Sequence, residues 1–175
     1  MKETIRCMGV LAALLGGLCG PVAAQKIGKI GPEFGVWRPT SARVQQLFGG
    51  TWQNLGLGLG PVRVPNEKGS WAPDFQLVIA SHMGNRLTLA PIGYSWRRAL
   101  SSGSTRSYFG VTPQIVLART EGPDLPNAWR GTSGISLVVG QGIGNKFYLE
   151  GGYSFLSPVR SLNFSGWNLS AGLRF

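Results

Sequence analysis

His82 is the only histidine of this chain, and Ser81 stands beside it, so the residue types of a nucleophile and its base are neighbours. Serine attack assisted by histidine needs both side chains on one side of the backbone and within hydrogen-bond reach. Adjacent residues of an extended strand point to opposite faces, so an enzyme would need another serine converging on His82. Metal chemistry has less to work with. Both cysteines, Cys7 and Cys19, fall in an N-terminal segment read below as removed, and one histidine with scattered carboxylates does not compose a metal site. No cofactor is indicated either, because Gly56-Leu-Gly-Leu-Gly60 lacks the Lys-Ser/Thr and the following helix of a phosphate loop. The remaining chemistry is charge. Glu33, Glu150 and Arg174 have the parity that places them inside a closed sheet, as an ion gate or as a plug of mutually neutralising charges. The plug is favoured, since an unpaired buried charge is costly.

The elements that must position these residues begin after an export segment. Lys2 and Arg6 precede an apolar run from Met8 to Leu18, and Pro21-Val-Ala-Ala24 supplies small residues for a cut after Ala24. Residues 1–24 are therefore expected to be a cleaved signal, and residues 25–175 a single domain. The run is shorter than the ~20 residues a membrane-spanning helix needs, and Leu18 is too bulky for a lipoprotein site at Cys19. Of the 17 basic and 7 acidic residues, the segment removes Lys2, Arg6 and Glu3. The remaining excess of positive charge favours anionic partners. Nucleic acid is excluded as the reading, because Arg38, Arg43, Arg63, Arg86, Arg97, Arg98, Arg106, Arg119, Arg130 and Arg160 are scattered and no nucleic-acid motif frames them. They read as solvated loop and rim charges whose stems lie along apolar surface.

From Ile30 onward the pattern alternates with a period of two, interrupted by Gly, Pro, Ser and Asn clusters, which predicts eight strands. The first, Ile30 to Arg38, sets Phe34 and Val36 against Glu33 and Trp37. A loop follows in which Thr40 or Ser41 caps a short helix from Ala42 to Phe48. The second strand, Thr51 to Gly60, sets Leu55, Leu57 and Leu59 against Trp52, Asn54, Gly56 and Gly58, the glycines leaving room for long side chains in a small lumen. Pro61 to Pro73 is a polar connection. The third, Asp74 to His82, turns through Met83-Gly-Asn85 into the fourth, Arg86 to Leu100. There Leu87 and Leu89 are read as outward, and Pro91 as a bulge, because Ile92, Tyr94 and Trp96 have the opposite parity. The fifth strand, Arg106 to Arg119, contains an anomalous Pro113 and is followed by a long loop from Thr120 to Arg130. The sixth is Gly131 to Gln141 and the seventh Lys146 to Phe155. The eighth, Gly166 to Phe175, aligns Trp167, Leu169, Ala171, Leu173 and Phe175 on one face.

Inward residues are mostly Gly, Ser, Thr, Asn and Gln, and 14% of the chain is charged, whereas a soluble barrel carries its charges outside and its apolar set within. A narrow polar lumen inside a lipid-facing surface fits better. The chain resembles the small bacterial outer-membrane β-barrels of the OmpA and OmpX kind, without a periplasmic domain. This resemblance implies an all-β, antiparallel, up-and-down eight-stranded transmembrane β-barrel located in the bacterial outer membrane. It also implies a monomer, surrounded by outer-membrane lipid and lipopolysaccharide, whose closing strand carries an assembly signal in Trp167, Leu173 and Phe175 read by the barrel assembly machinery. The expected role is structural or surface-interacting rather than enzymatic. Arg38, Arg43, Trp129 and Arg130 in the outer loops are the candidates for contact with anionic lipid. A narrow pore, a lipid-modifying enzyme using His82, and a secreted soluble ligand-binding barrel are the alternatives.

Overall fold

Alternation of large apolar and small or polar residues governs most of the described residues, and it produces antiparallel strands. The computed structural model describes residues 30–59, 69–101, 105–144 and 147–173. The export segment with its cut after Ala24, Cys7, Cys19, Arg174 and Phe175 lie outside the described residues. The strands are β1 (Ile30–Pro39), β2 (Trp52–Leu59), β3 (Ser70–His82), β4 (Asn85–Ala99), β5 (Thr105–Gly122), β6 (Leu125–Ile143), β7 (Phe147–Leu156) and β8 (Gly166–Leu173), with a helix α1 (Ala42–Phe48) between β1 and β2. Each strand pairs with the next, and β1 pairs with β8 from Glu33↔Gly172 to Pro39↔Gly166, closing the barrel. Closure pairs the main chain all round, as hydrocarbon surroundings require. The expected eight-stranded antiparallel barrel is the observed one.

The outer face is apolar. Phe34, Val36, Phe75, Leu77, Ile79, Ile92, Ile135, Leu137, Val139, Leu149 and Leu169 are all exposed. Aromatic pairs bound this belt. Towards the α1 end, Tyr153 packs edge-on against Trp167 with ring centroids 4.9 Å apart. Towards the opposite end, Trp71 stacks on Tyr94 at 5.4 Å and Trp96 meets Phe109 edge-on at 5.4 Å. Two aromatic girdles around an apolar belt are the pattern of a barrel crossing a bilayer.

Four details differ from the sequence reading. Leu87 and Leu89 point inward and are fully buried, because the register of β4 is unbroken: Arg86↔Glu121 and Arg97↔Gly110 lie on the same ladder. Pro91 is therefore not a bulge. Its missing donor falls where the β3–β4 pairing is interrupted between Phe75↔Ile92 and Val78↔Leu89, and Pro113 sits in a matching gap between Gly93↔Gln114 and Trp96↔Val111. The ladder loses bonds at each proline without slipping. Thr120 to Arg130 is not a loop: β5 and β6 continue as a projecting hairpin that turns at Pro123-Asp124, and the register shift is at Arg119/Thr120. The connection after β2 ends earlier than expected, since β3 starts at Ser70.

The lumen is layered, and only part of it is polar. At the α1 end Trp37, Trp52, Val78, Leu87, Leu89, Val116 and Ala118 pack with Val44 and Phe48 of α1 and with Leu162 and Phe164 of the β7–β8 loop. Val44 and Phe48 lie four apart, on one helical face, while Arg43 and Gln46 are exposed. Such a short helix does not hold by itself. Asn85 Nδ2 donates to Leu47 O at 3.1 Å, and Trp52 Nε1 donates to Phe48 O and Gly49 O at 3.1 and 2.9 Å, satisfying the terminal carbonyls. Ser41 occupies the N-cap position without a side-chain bond, and Thr40 Oγ1 instead donates to Ser165 O at 3.1 Å. Gly49, at φ 85°, ends the helix. Below this apolar layer is a hydroxyl layer, in which Thr112 bonds Ser95 at 2.8 Å and Ser136 bonds both Gln114 at 2.9 Å and Ser154 at 2.6 Å. The third layer is charged.

Candidate functional site

The charged layer is assembled from inward positions of β1, β3, β4, β5 and β7. Glu150 of β7 receives two parallel bonds from Arg97 of β4, Nε to Oε2 and Nη2 to Oε1, both 3.0 Å. Planar guanidinium and carboxylate match in this geometry, which makes it one of the stronger ion pairs. Tyr108 OH donates to Glu150 Oε2 at 3.0 Å, and Arg97 Nη2 also lies 3.5 Å from Asp74 Oδ2. On the other side, Tyr148 OH donates to Glu33 Oε2 at 2.6 Å, while Glu33 Oε1 is buried without a hydrogen-bond partner among the described residues.

Glycines make this layer possible. A Cβ on Gly140 would enter the ring of Tyr108, one on Gly172 the ring of Tyr148, and one on Gly56 would sit 3.0 Å from Glu33 Cβ. Small residues opposite long ones are what a narrow lumen demands. Gly172→Ala is accordingly expected to destabilise the barrel by about 1–3 kcal/mol through overpacking, measured as a lower urea midpoint; an unchanged midpoint would show that Tyr148 moves aside freely.

Of the residues singled out from sequence, Glu33 and Glu150 lie in this layer, and Arg174 is outside the described residues. Arg97, read above as one of many solvated charges, is instead the inward cation between Glu150 and Asp74. Its parity, opposite to Ile92, Tyr94 and Trp96, was the available signal. Asp74, Tyr108 and Tyr148 are members that sequence reasoning did not name as site residues. Leu173 ends β8, and Trp167 is exposed on the outer face.

The four mouth candidates do not form one cluster, although Arg43 and Arg130 line a common cavity. Arg38 is exposed on β1 in register with Trp167. Arg43 projects from α1, and Arg130 is exposed on β6. Trp129 also lies on β6, exposed, with the guanidinium of Arg119 5.9 Å from its ring centre. Arg119 in turn pairs with Glu121 at 2.9 Å and donates to Asn127 Oδ1 at 2.9 Å. Trp129 thus belongs to a self-contained cluster on the projecting hairpin. Ser81 is exposed on the outer face of β3, whereas His82 turns inward beside Gly49.

Comparison with solved structures agrees with this architecture. The crystal structure of Neisserial surface protein A superposes with a TM-score of 0.50 at 15% identity, covering 83% of this chain and 96% of that one. The fold is that of a small outer-membrane β-barrel. The outer membrane protein OprG from Pseudomonas aeruginosa gives a TM-score of 0.46 at 11% identity over 86% of this chain and 97% of that chain. No protein-family model and no curated protein sequence matches this one.

Proposed function

We propose that this chain is an integral protein of the bacterial outer membrane with a structural or surface-interaction role, its mouth contacting phosphate-bearing envelope lipid such as lipopolysaccharide. The observation that carries the reading is the exposed apolar belt between two aromatic girdles, closed around a lumen filled with side chains. A filled lumen favours a closed barrel over a pore. The opposed directions of Ser81 and His82 give no support to an acyl-transfer site. In this reading the barrel is a monomer, inserted by the barrel assembly machinery through a closing strand bearing Trp167, Leu173 and Phe175, with Glu33, Glu150 and Arg174 joined as internal charge.

The lipid contact is tested by replacing Arg38, Arg43 and Arg130 with Gln and Trp129 with Ala in one variant. Each basic residue near an anionic surface contributes about 1 kcal/mol, so the variant is expected to bind lipopolysaccharide roughly a hundredfold more weakly in a flotation assay. Equal binding would remove the mouth from the contact.

A further inference from the structure

The apolar packing does not reach the rim at the α1 end. Between α1, the projecting β5–β6 hairpin and the β7–β8 loop lies a cavity of about 210 Å³. Arg43 of α1, Arg130 of β6 and Arg160 of the β7–β8 loop line it, with Leu47, Leu162 and Phe164 also in its wall. Three arginines from segments far apart in sequence thus converge beside an apolar surface. Among the described residues none of the three has an ion-pair partner. Asp124, at the hairpin turn, is the acidic member of the wall, and it faces three cations.

The backbone beneath Arg160 adds a second observation. Val159 and Leu162 exchange main-chain bonds of 2.9 Å in each direction, closing a two-residue turn whose central residues, Arg160 and Ser161, have φ of 49° and 65°. Left-handed backbone is the province of Gly and Asn in such turns, and other side chains adopt it at a cost. An arginine here is held over the cavity by a turn that a glycine would form more easily, and strain of this sort gathers at ligand sites.

We infer that this cavity is a binding site for a phosphomonoester attached to a short apolar group. The arginines take the phosphate through charge-assisted hydrogen bonds, and Leu47, Leu125 and Val159, the apolar wall residues that are only partly buried, take the hydrocarbon. The cavity is smaller than the roughly 300–1,000 Å³ of drug-sized sites, so the group it encloses is a headgroup-sized fragment and not a whole lipid. This inference deepens the proposed contact with phosphate-bearing lipid and rests on the mouth facing that lipid.

The test is calorimetric titration of the full barrel, in nanodiscs of zwitterionic lipid, with n-hexyl phosphate, inorganic phosphate and hexanol. Hexyl phosphate is expected to bind about tenfold or more tightly than either fragment, because each partner supplies half of the recognition. Arg130→Gln and Arg160→Gln are each expected to weaken it about tenfold, with Arg98→Gln, at the far end of β4, as the unaffected control. Heat-dependent gel mobility confirms that every variant is folded. Nanodiscs doped with lipopolysaccharide separate the sources: suppressed titration identifies a lipid headgroup as the occupant, and undiminished titration identifies a free phosphomonoester. Absence of hexyl phosphate binding, affinity equal to that of inorganic phosphate, or indifference to both arginine substitutions overturns the site. Surface contact is judged separately by flotation of an Arg38→Gln single variant, which leaves the cavity arginines Arg43, Arg130 and Arg160 in place, so either reading can fail alone.

Discussion

Arg97→Met is expected to lower the stability of the barrel by about 3–5 kcal/mol, the range for removing one partner of a buried ion pair. Glu150 would keep the hydroxyl of Tyr108 but lose both bonds of its bidentate partner. Asp74 and Glu33 would then share the lumen with it, without the guanidinium that now lies between Asp74 and Glu150. The companion variant isolates the cause. If the loss comes from uncompensated charge, adding Glu150→Gln to Arg97→Met restores a substantial part of it, although Glu150→Gln alone destabilises. Urea unfolding in lipid, followed by tryptophan fluorescence and heat-dependent gel mobility, measures all three. A loss under about 1 kcal/mol for Arg97→Met would mean that water already screens the pair.

Phe164→Ala is expected to cost a similar amount, about 3–5 kcal/mol, by leaving a cavity that its neighbours cannot fill. Phe164 is fully buried, and its ring centre lies 6.3 Å from that of Phe48 and 6.4 Å from that of Trp52. Its loss unseats α1 and the β7–β8 loop together. The functional expectation is more specific than lost stability. Because the hydroxyl and charged layers remain beneath, neither the native barrel nor Phe164→Ala should pass ions in planar bilayers. Steady single-channel currents through the native protein would overturn the sealed lumen and return the narrow pore to first place.

Much of the barrel was legible because the strand period states which face each residue takes. Phe34 and Val36 against Glu33 and Trp37, or Phe75, Leu77 and Ile79 against Val78 and Ala80, read the same way in sequence and structure. Misreading began where an assumption about polarity overrode the period. Leu87 and Leu89 are apolar and were sent to the lipid, but the upper lumen is an apolar core, built with side chains from α1 and the β7–β8 loop that no strand pattern announces. Keeping their inward parity would have removed the need for a bulge at Pro91. The projecting hairpin was hidden by Pro123, Asp124 and Pro126, which look like loop residues in one dimension, although the tip needs only two turn residues. Arg97 was legible by parity but not by partner, since its pairing with Glu150 joins β4 to β7, which are not sheet neighbours. Contacts through the lumen depend on which side chains are long enough to reach, and on glycines such as Gly140 and Gly172 that let them.

The bond between Tyr148 and Glu33 reaches over the floor of Gly172, from β7 past β8 to β1, and unites residues 115 positions apart in the chain. It therefore has a place in time as well as in space. Until the final strand lies between its neighbours, the tyrosine and the carboxylate have no fixed separation, and both remain hydrated. Joining the first and last strands costs the closure entropy of nearly the whole chain, and this clasp can offset that cost only once the ring is complete. Assembly is thus weighted toward all-or-none completion, with an incomplete sheet gaining nothing from the fastening that secures the finished one.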